Sequence, residues 1–143
     1  MNRYSETSKS RLSTCHRDLQ TLFNHVVIEY DNTIVCGYRG EKEQNEAFSK
    51  GNSQLQFPKS KHNHHPSLAV DAAPFENTGI DWSEKQCRDF AGYVLGVAHQ
   101  LYRIGVIKHR IRRGVDWNID NDVNDNKFDD LCHFEIILNE EDK

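Results

Sequence analysis

No stretch of this 143-residue chain approaches the roughly 18 to 20 consecutive apolar residues that a membrane-spanning helix needs. The opening segment, MNRYSETSKSR, also lacks the apolar core of a secretory signal. Both absences predict a chain kept in the cytoplasm without membrane insertion. Cysteine is sparse: Cys15, Cys36, Cys87 and Cys132 form no C-x-x-C pair, so neither a zinc knuckle nor a compact disulfide framework is expected, only free thiols. A basic excess is missing as well. The formal charge is -4 and the pI near 6.0, so no partnership with nucleic acid is expected.

What is present suits one globular domain. The mean hydropathy is -0.79, yet seven Phe, five Tyr and two Trp supply bulky core side chains. The reading is a single domain over residues 1–143, a monomer, with 1–10 and 139–143 as frayed tails. Leu12, Cys15, Leu19, Leu22, Phe23, Val26 and Val27 recur at helical spacing and predict a helix over Ser13–Tyr30. Thr33–Tyr38 reads as a buried strand, and Glu41–Lys50 as a helix that Gly51 ends. Residues 52–66 read as a loop and Leu68–Ala73 as a strand stopped by Pro74. Ser83 with Gln86 reads as a capping box opening a long helix to Ile104, with Gly105 as its stop. Lys108–Arg113 and Phe134–Leu138 are the last strands. The class is α+β, helices packed on a small, mostly antiparallel sheet.

Chemistry concentrates in two fragments. Ser60-Lys61-His62-Asn63-His64-His65 precedes a strand that contains Asp71, and an ionised carboxylate in an apolar strand calls for a positive partner such as a metal ion. Far downstream, Asp130-Leu131-Cys132-His133-Phe134-Glu135 sets a histidine and a glutamate on one strand face. Two imidazoles and one carboxylate are the usual ligands of a catalytic zinc, which keeps an open position for water. On spacing alone, the reading of His62, His64 and His65 as a solvated loop cluster and His133 as a satisfied edge residue remains open. Cys132 should face away from His133 and pack.

These fragments resemble the paired S-x-H, A-x-D and D-x-x-H signatures of the zinc peptidases that include D-alanyl-D-alanine carboxypeptidases and phage L-alanyl-D-glutamate endolysins. Gly37-Tyr38-Arg39 through Gln44 is similar to the family's G-x-R-x-x-x-x-Q segment, and Gly114-Val115-Asp116-Trp117-Asn118 to its G-x-D-W-N turn. The resemblance implies zinc on His62, Asp71 and His133, Asp130 as general base, and Arg39 as a guanidinium that steadies substrate or developing charge. Ser60, Gln44 and Glu135 are the expected supporting or substrate-contacting residues. His64 stands seven residues before Asp71 and is the alternate ligand if the loop carries no insertion.

The implied activity is hydrolysis of peptidoglycan stem peptides, at the L-alanyl-D-glutamate bond, in host lysis, by an enzyme that reaches the cell wall from the cytoplasm through a separate pore. A D-alanyl-D-alanine carboxypeptidase is the close alternative, and a non-catalytic zinc-containing binding domain the alternative of another class. Asp116, Asn118, Asp120 and Asp122 alternate like the first ligands of a calcium loop, although Asn121 and Lys127 stand where its Gly and Glu belong.

Overall fold

The structure, a computed structural model, describes residues 1–114 and 130–142, with the side chains of Asp130 and Leu131 left aside. Among the described residues four α-helices, α1 (Glu6–Leu12), α2 (Arg17–Glu29), α3 (Glu41–Ser49) and α4 (Glu84–Arg103), accompany five strands. The strands are β1 (Asn32–Cys36), β2 (Ala69–Glu76), β3 (Gly79–Ile80), β4 (Arg110–Gly114) and β5 (Asp130–Ile137). The sheet runs β1-β2-β5-β4, with β3 folded back on the far end of β2, and every strand pair is antiparallel. The α+β expectation therefore holds.

Strand alternation sorts the sheet into two faces. Ile34, Val70, Ala72, Ile111, Phe134 and Ile136 enter the core with Leu19, Leu22, Phe23 and Val26 of α2 and Phe90, Ala91, Val94 and Ala98 of α4. Phe134 meets Phe23 and Phe90 edge to face, with ring centroids 5.5 Å and 6.0 Å away. The residues between them, Asp71 on β2 and His133 and Glu135 on β5, are thereby turned to the face opposite these helices.

Several boundaries depart from the sequence reading. Residues 1–10 are not a frayed tail: Ser5 caps α1, and buried Tyr4 donates its hydroxyl to Asn32 Oδ1 at 2.8 Å. Residues 140–142 are likewise held, in a 3-10 turn whose Asp142 reaches His109 at 2.9 Å. The expected helix from Ser13 begins only at Arg17, because Cys15 bridges Ser67 and His16 caps α2 through its ring. β2 runs through Pro74, for a reason visible in the ladder. Phe75 N–H donates to Asp31 O while pairing with β5 ends at Asp71, so the missing proline N–H falls where no neighbour needs it. Ser83 caps α4, but Gln86 completes no capping box and turns its amide to Glu76. Gly51 and Gly105 follow α3 and α4 at φ 78° and 81°, the left-handed conformation that suits a helix stop.

Candidate active site

Register brings the two fragments together. Asp71 lies directly opposite His133 in the β2–β5 pair, with Cys36 of β1 opposite it on the other side. His62 arrives from a 3-10 turn, Lys61–Asn63, fixed by a reciprocal cap: Ser60 Oγ accepts from His62 N–H, and Asn63 Oδ1 accepts from Ser60 N–H at 3.0 Å. Asp71 Oδ1 then faces His62 Nε2 and His133 Nδ1, each at 3.1 Å. His62 and His133 are 2% and 8% exposed. His64, two residues on, is exposed on the surface, and His65 packs edge-on against Tyr38 instead.

The second nitrogen of each ring is tied down. His62 Nδ1 donates to Gly37 O at 2.7 Å, and His133 Nε2 to Glu135 Oε1 at 2.8 Å. Those partners fix ring orientation and leave the other nitrogen for whatever sits at Asp71. Glu135 is itself clamped through Oε2 by Lys61 at 2.9 Å and Arg112 at 2.6 Å. Lys61 also donates to Ile136 O. Asp71 Oδ2 accepts from Arg39 Nη2 at 3.3 Å, so Arg39 grips the carboxylate beside the cleft. Fully buried Gln44 joins the pieces: its Oε1 accepts from Arg39 Nη1 and Asn63 Nδ2, and its Nε2 donates to Ser53 Oγ and Leu55 O.

Electrostatics follow from this packing. Burial disfavours charge on both rings, but the Asp71 carboxylate overrides it and holds His62 up at about 10. His133, buried too, is held at about 9 by its bonds to Asp71 and Glu135. Burial pushes Asp71 and Glu135 upward; the imidazoles, with Lys61 at Glu135, win and keep both far below the usual carboxylate range. The site thus carries a carboxylate with two protons' worth of compensating charge, which one divalent cation can replace.

Among the expected residues, His62, Asp71, His133, Glu135, Arg39, Gln44 and Ser60 converge, and His64 does not. Asp130 opens β5 opposite Gly114, past a bulge where β4 advances one residue while β5 advances from Phe134 back to Asp130; its side chain is outside the described residues. Asp116, Asn118, Asp120 and Asp122 also lie outside them. Three participants escaped the sequence reading. Lys61 sits inside the motif, but its reach to Glu135 depends on the turn; Arg112 meets Glu135 because the two are cross-strand partners. Cys36 offers a sulfur within 4.8 Å of ligand atoms on His62 and Asp71, a placement set by a bulge after Ile34. Cys132, as expected, is on the helix face, near Cys87.

The site floors a cleft of about 420 Å³ whose walls include Arg39, Leu55, Lys59, Lys61 and Arg112. Among the described residues no helix is long and apolar enough to cross a membrane. Comparison with known proteins gives a consistent result. The chain is 30% identical over 132 residues to the L-alanyl-D-glutamate peptidase of Escherichia phage T5, covering 86% of this chain and 87% of that protein. Its fold matches the crystal structure of the L-Ala D-Glu endopeptidase ChiX of Serratia marcescens with a TM-score of 0.71 at 20% identity, over 94% of this chain and 90% of that one. The family model of the phage L-alanyl-D-glutamate peptidases matches residues 1–137, and the chain belongs to that family.

Proposed function

We propose that this protein is a zinc peptidase that hydrolyses the L-alanyl-D-glutamate bond of peptidoglycan stems and serves as a phage-type endolysin. The observation that carries the reading is the single carboxylate oxygen of Asp71 faced by two imidazole nitrogens at 3.1 Å, on the floor of an open cleft. The donor set fits a metal: each ring keeps one nitrogen for Asp71 while the other is bonded elsewhere. His62, Asp71 and His133 would hold the ion. A zinc ion so held supplies Lewis acidity toward a carbonyl and lowers the pKa of water.

The chain's own groups do the rest. Asp130, three residues before His133, is assigned as the base that takes a proton from the attacking water and returns it to the leaving amine. Arg39, anchored by Gln44 and Asp71, presents positive charge to the oxygen that becomes anionic. Glu135 keeps His133 in the tautomer that leaves Nδ1 toward Asp71. Cys36 supports a second ligand set with His62 and Asp71. The His133 set is preferred because its ring is oriented by a clamped carboxylate, and retention of metal by Cys36→Ser would bear that out.

Mass analysis of fragments released from purified peptidoglycan tests the activity. New N-terminal D-glutamate is expected. Release of free D-alanine instead would favour the carboxypeptidase reading, and intact stems would overturn both.

A further inference from the structure

The cleft is far more basic than the chain around it. Its wall carries four cationic side chains, Arg39, Lys59, Lys61 and Arg112, in a protein of net charge -4. Three of them have carboxylate partners: Arg39 is on Asp71, and Lys61 and Arg112 share Glu135. Lys59 is different. It is exposed, and among the described residues its ammonium enters no ion pair or hydrogen bond.

Its backbone, by contrast, is fixed. Lys59 N–H donates to Gln56 O at 2.9 Å, and the next residue, Ser60, is the cap of the turn that carries His62. The lysine is therefore anchored three positions from His62, with a flexible stem and a charge at the cleft that no described residue engages. A point charge held this way meets an anion that arrives with the substrate.

The proposed substrate brings one. Stem glutamate continues the peptide through its γ-carboxyl, so its α-carbon, bonded to the scissile nitrogen, bears a free carboxylate. Where that group is amidated, as in isoglutamine, the shape stays nearly the same and the charge disappears.

We propose that Lys59 binds the α-carboxylate of the stem glutamate, making the enzyme selective for unamidated D-glutamate stems over D-isoglutamine stems. This rests on the proposed L-alanyl-D-glutamate activity and adds a specificity to it. Arg39, Lys61 and Arg112 are less suited to the task, since each is already engaged with a carboxylate of the protein. Loss of one charge-assisted contact at a partly open cleft corresponds to about tenfold in kcat/KM.

The test compares two synthetic stem peptides, one with D-glutamate and one with D-isoglutamine, hydrolysed by zinc-loaded wild type, Lys59→Met and Lys59→Arg. Zinc content and melting temperature of each variant are measured alongside. Wild type should favour the free acid by about tenfold, mainly through KM, and the preference should shrink as salt is raised. Lys59→Met should bring the ratio near one, and Lys59→Arg should restore it. Equal wild-type rates on both peptides, or a preference that survives in Lys59→Met, would overturn the specificity while leaving the activity standing. Cleavage of neither peptide by wild type would instead overturn the activity, and the specificity with it.

Discussion

Around Asp71 one carboxylate oxygen faces two imidazoles; around His109 one imidazole faces two carboxylates. His109 Nδ1 bonds Asp18 Oδ2 at 2.7 Å and its Nε2 bonds Asp142 Oδ2 at 2.9 Å. His16 stacks edge-on against that ring, and the ligand atoms of His16, Asp18 and His109 also lie within 4.8 Å of one another. Proximity of histidine and aspartate therefore does not separate the two places. Their partners do. His109 has a separate carboxylate on each ring nitrogen, and His16 Nδ1 already accepts from Asp18 N–H, so the second cluster is an ion-paired clasp. At Asp71 each ring has one nitrogen tied to Gly37 O or Glu135, and the other two nitrogens meet at one carboxylate oxygen, where a divalent ion can replace their two protons.

The largest expected effect comes from breaking the first cluster. His133→Ala should lose zinc and hydrolysis together and lower the melting temperature, since an ion that binds only the native state adds about 2.7 kcal/mol at a hundredfold excess over Kd. Asp130→Asn should keep zinc while turnover falls about 10² to 10⁴-fold. Metal content, melting temperature and stem hydrolysis on the same three proteins decide this. Wild-type turnover by zinc-loaded Asp130→Asn would remove it as the base.

A second effect sharpens the electrostatic contrast. With His62 at about 10 and His133 at about 9 in the metal-free protein, both rings are protonated at pH 7.5, taken as roughly one unit above the ordinary histidine range. Zinc uptake should therefore release about two protons, measurable by calorimetry in buffers of different ionisation enthalpy. Uptake without proton release would mean that these rings are neutral before metal arrives. The same raised values mean that, without metal, their contribution to stability is complete below the unfolded histidine pKa and is lost as pH rises through 9 to 10.

The smallest effect belongs to the clasp. Burial opposes charge on His109, but its bonds to Asp18 and Asp142 raise its pKa above the ordinary value. Its stabilisation is thus complete below the unfolded histidine pKa and is lost as pH rises through the folded one. At the acid end, protonation of Asp142, whose pKa His109 lowers, removes it again. His109→Gln should cost a few degrees of melting temperature near pH 6, taking about 1 kcal/mol as the worth of the contact, and less near pH 9. Zinc content should not change. An equal loss at both pH values would show that the clasp acts through packing alone.

Much of this was legible in the sequence because it depends on short-range pattern. The apolar stripes of α2 and α4 and the alternation in β2 and β5 define which face Asp71, His133 and Glu135 occupy. The Ser60-Lys61-His62 motif identified the buried histidine, although spacing left His64 open; the reciprocal cap between Ser60 and Asn63 is what turns His62 inward. Long-range register was not legible. Arg112 reaches Glu135, and Cys36 reaches Asp71, only because of pairings and bulges that a single sequence does not reveal. Tyr4 is another case: its burial depends on a hydrogen bond to Asn32, 28 positions away.

The central claim, that His62 joins Asp71 and His133 in holding the ion on which hydrolysis depends, is tested most directly by elemental analysis of dialysed His62→Ala and His64→Ala proteins. The account predicts about one zinc per chain in His64→Ala, as in wild type, and essentially none in His62→Ala, the set expected of a catalytic site with three protein ligands. Zinc retained by His62→Ala and lost from His64→Ala would contradict it.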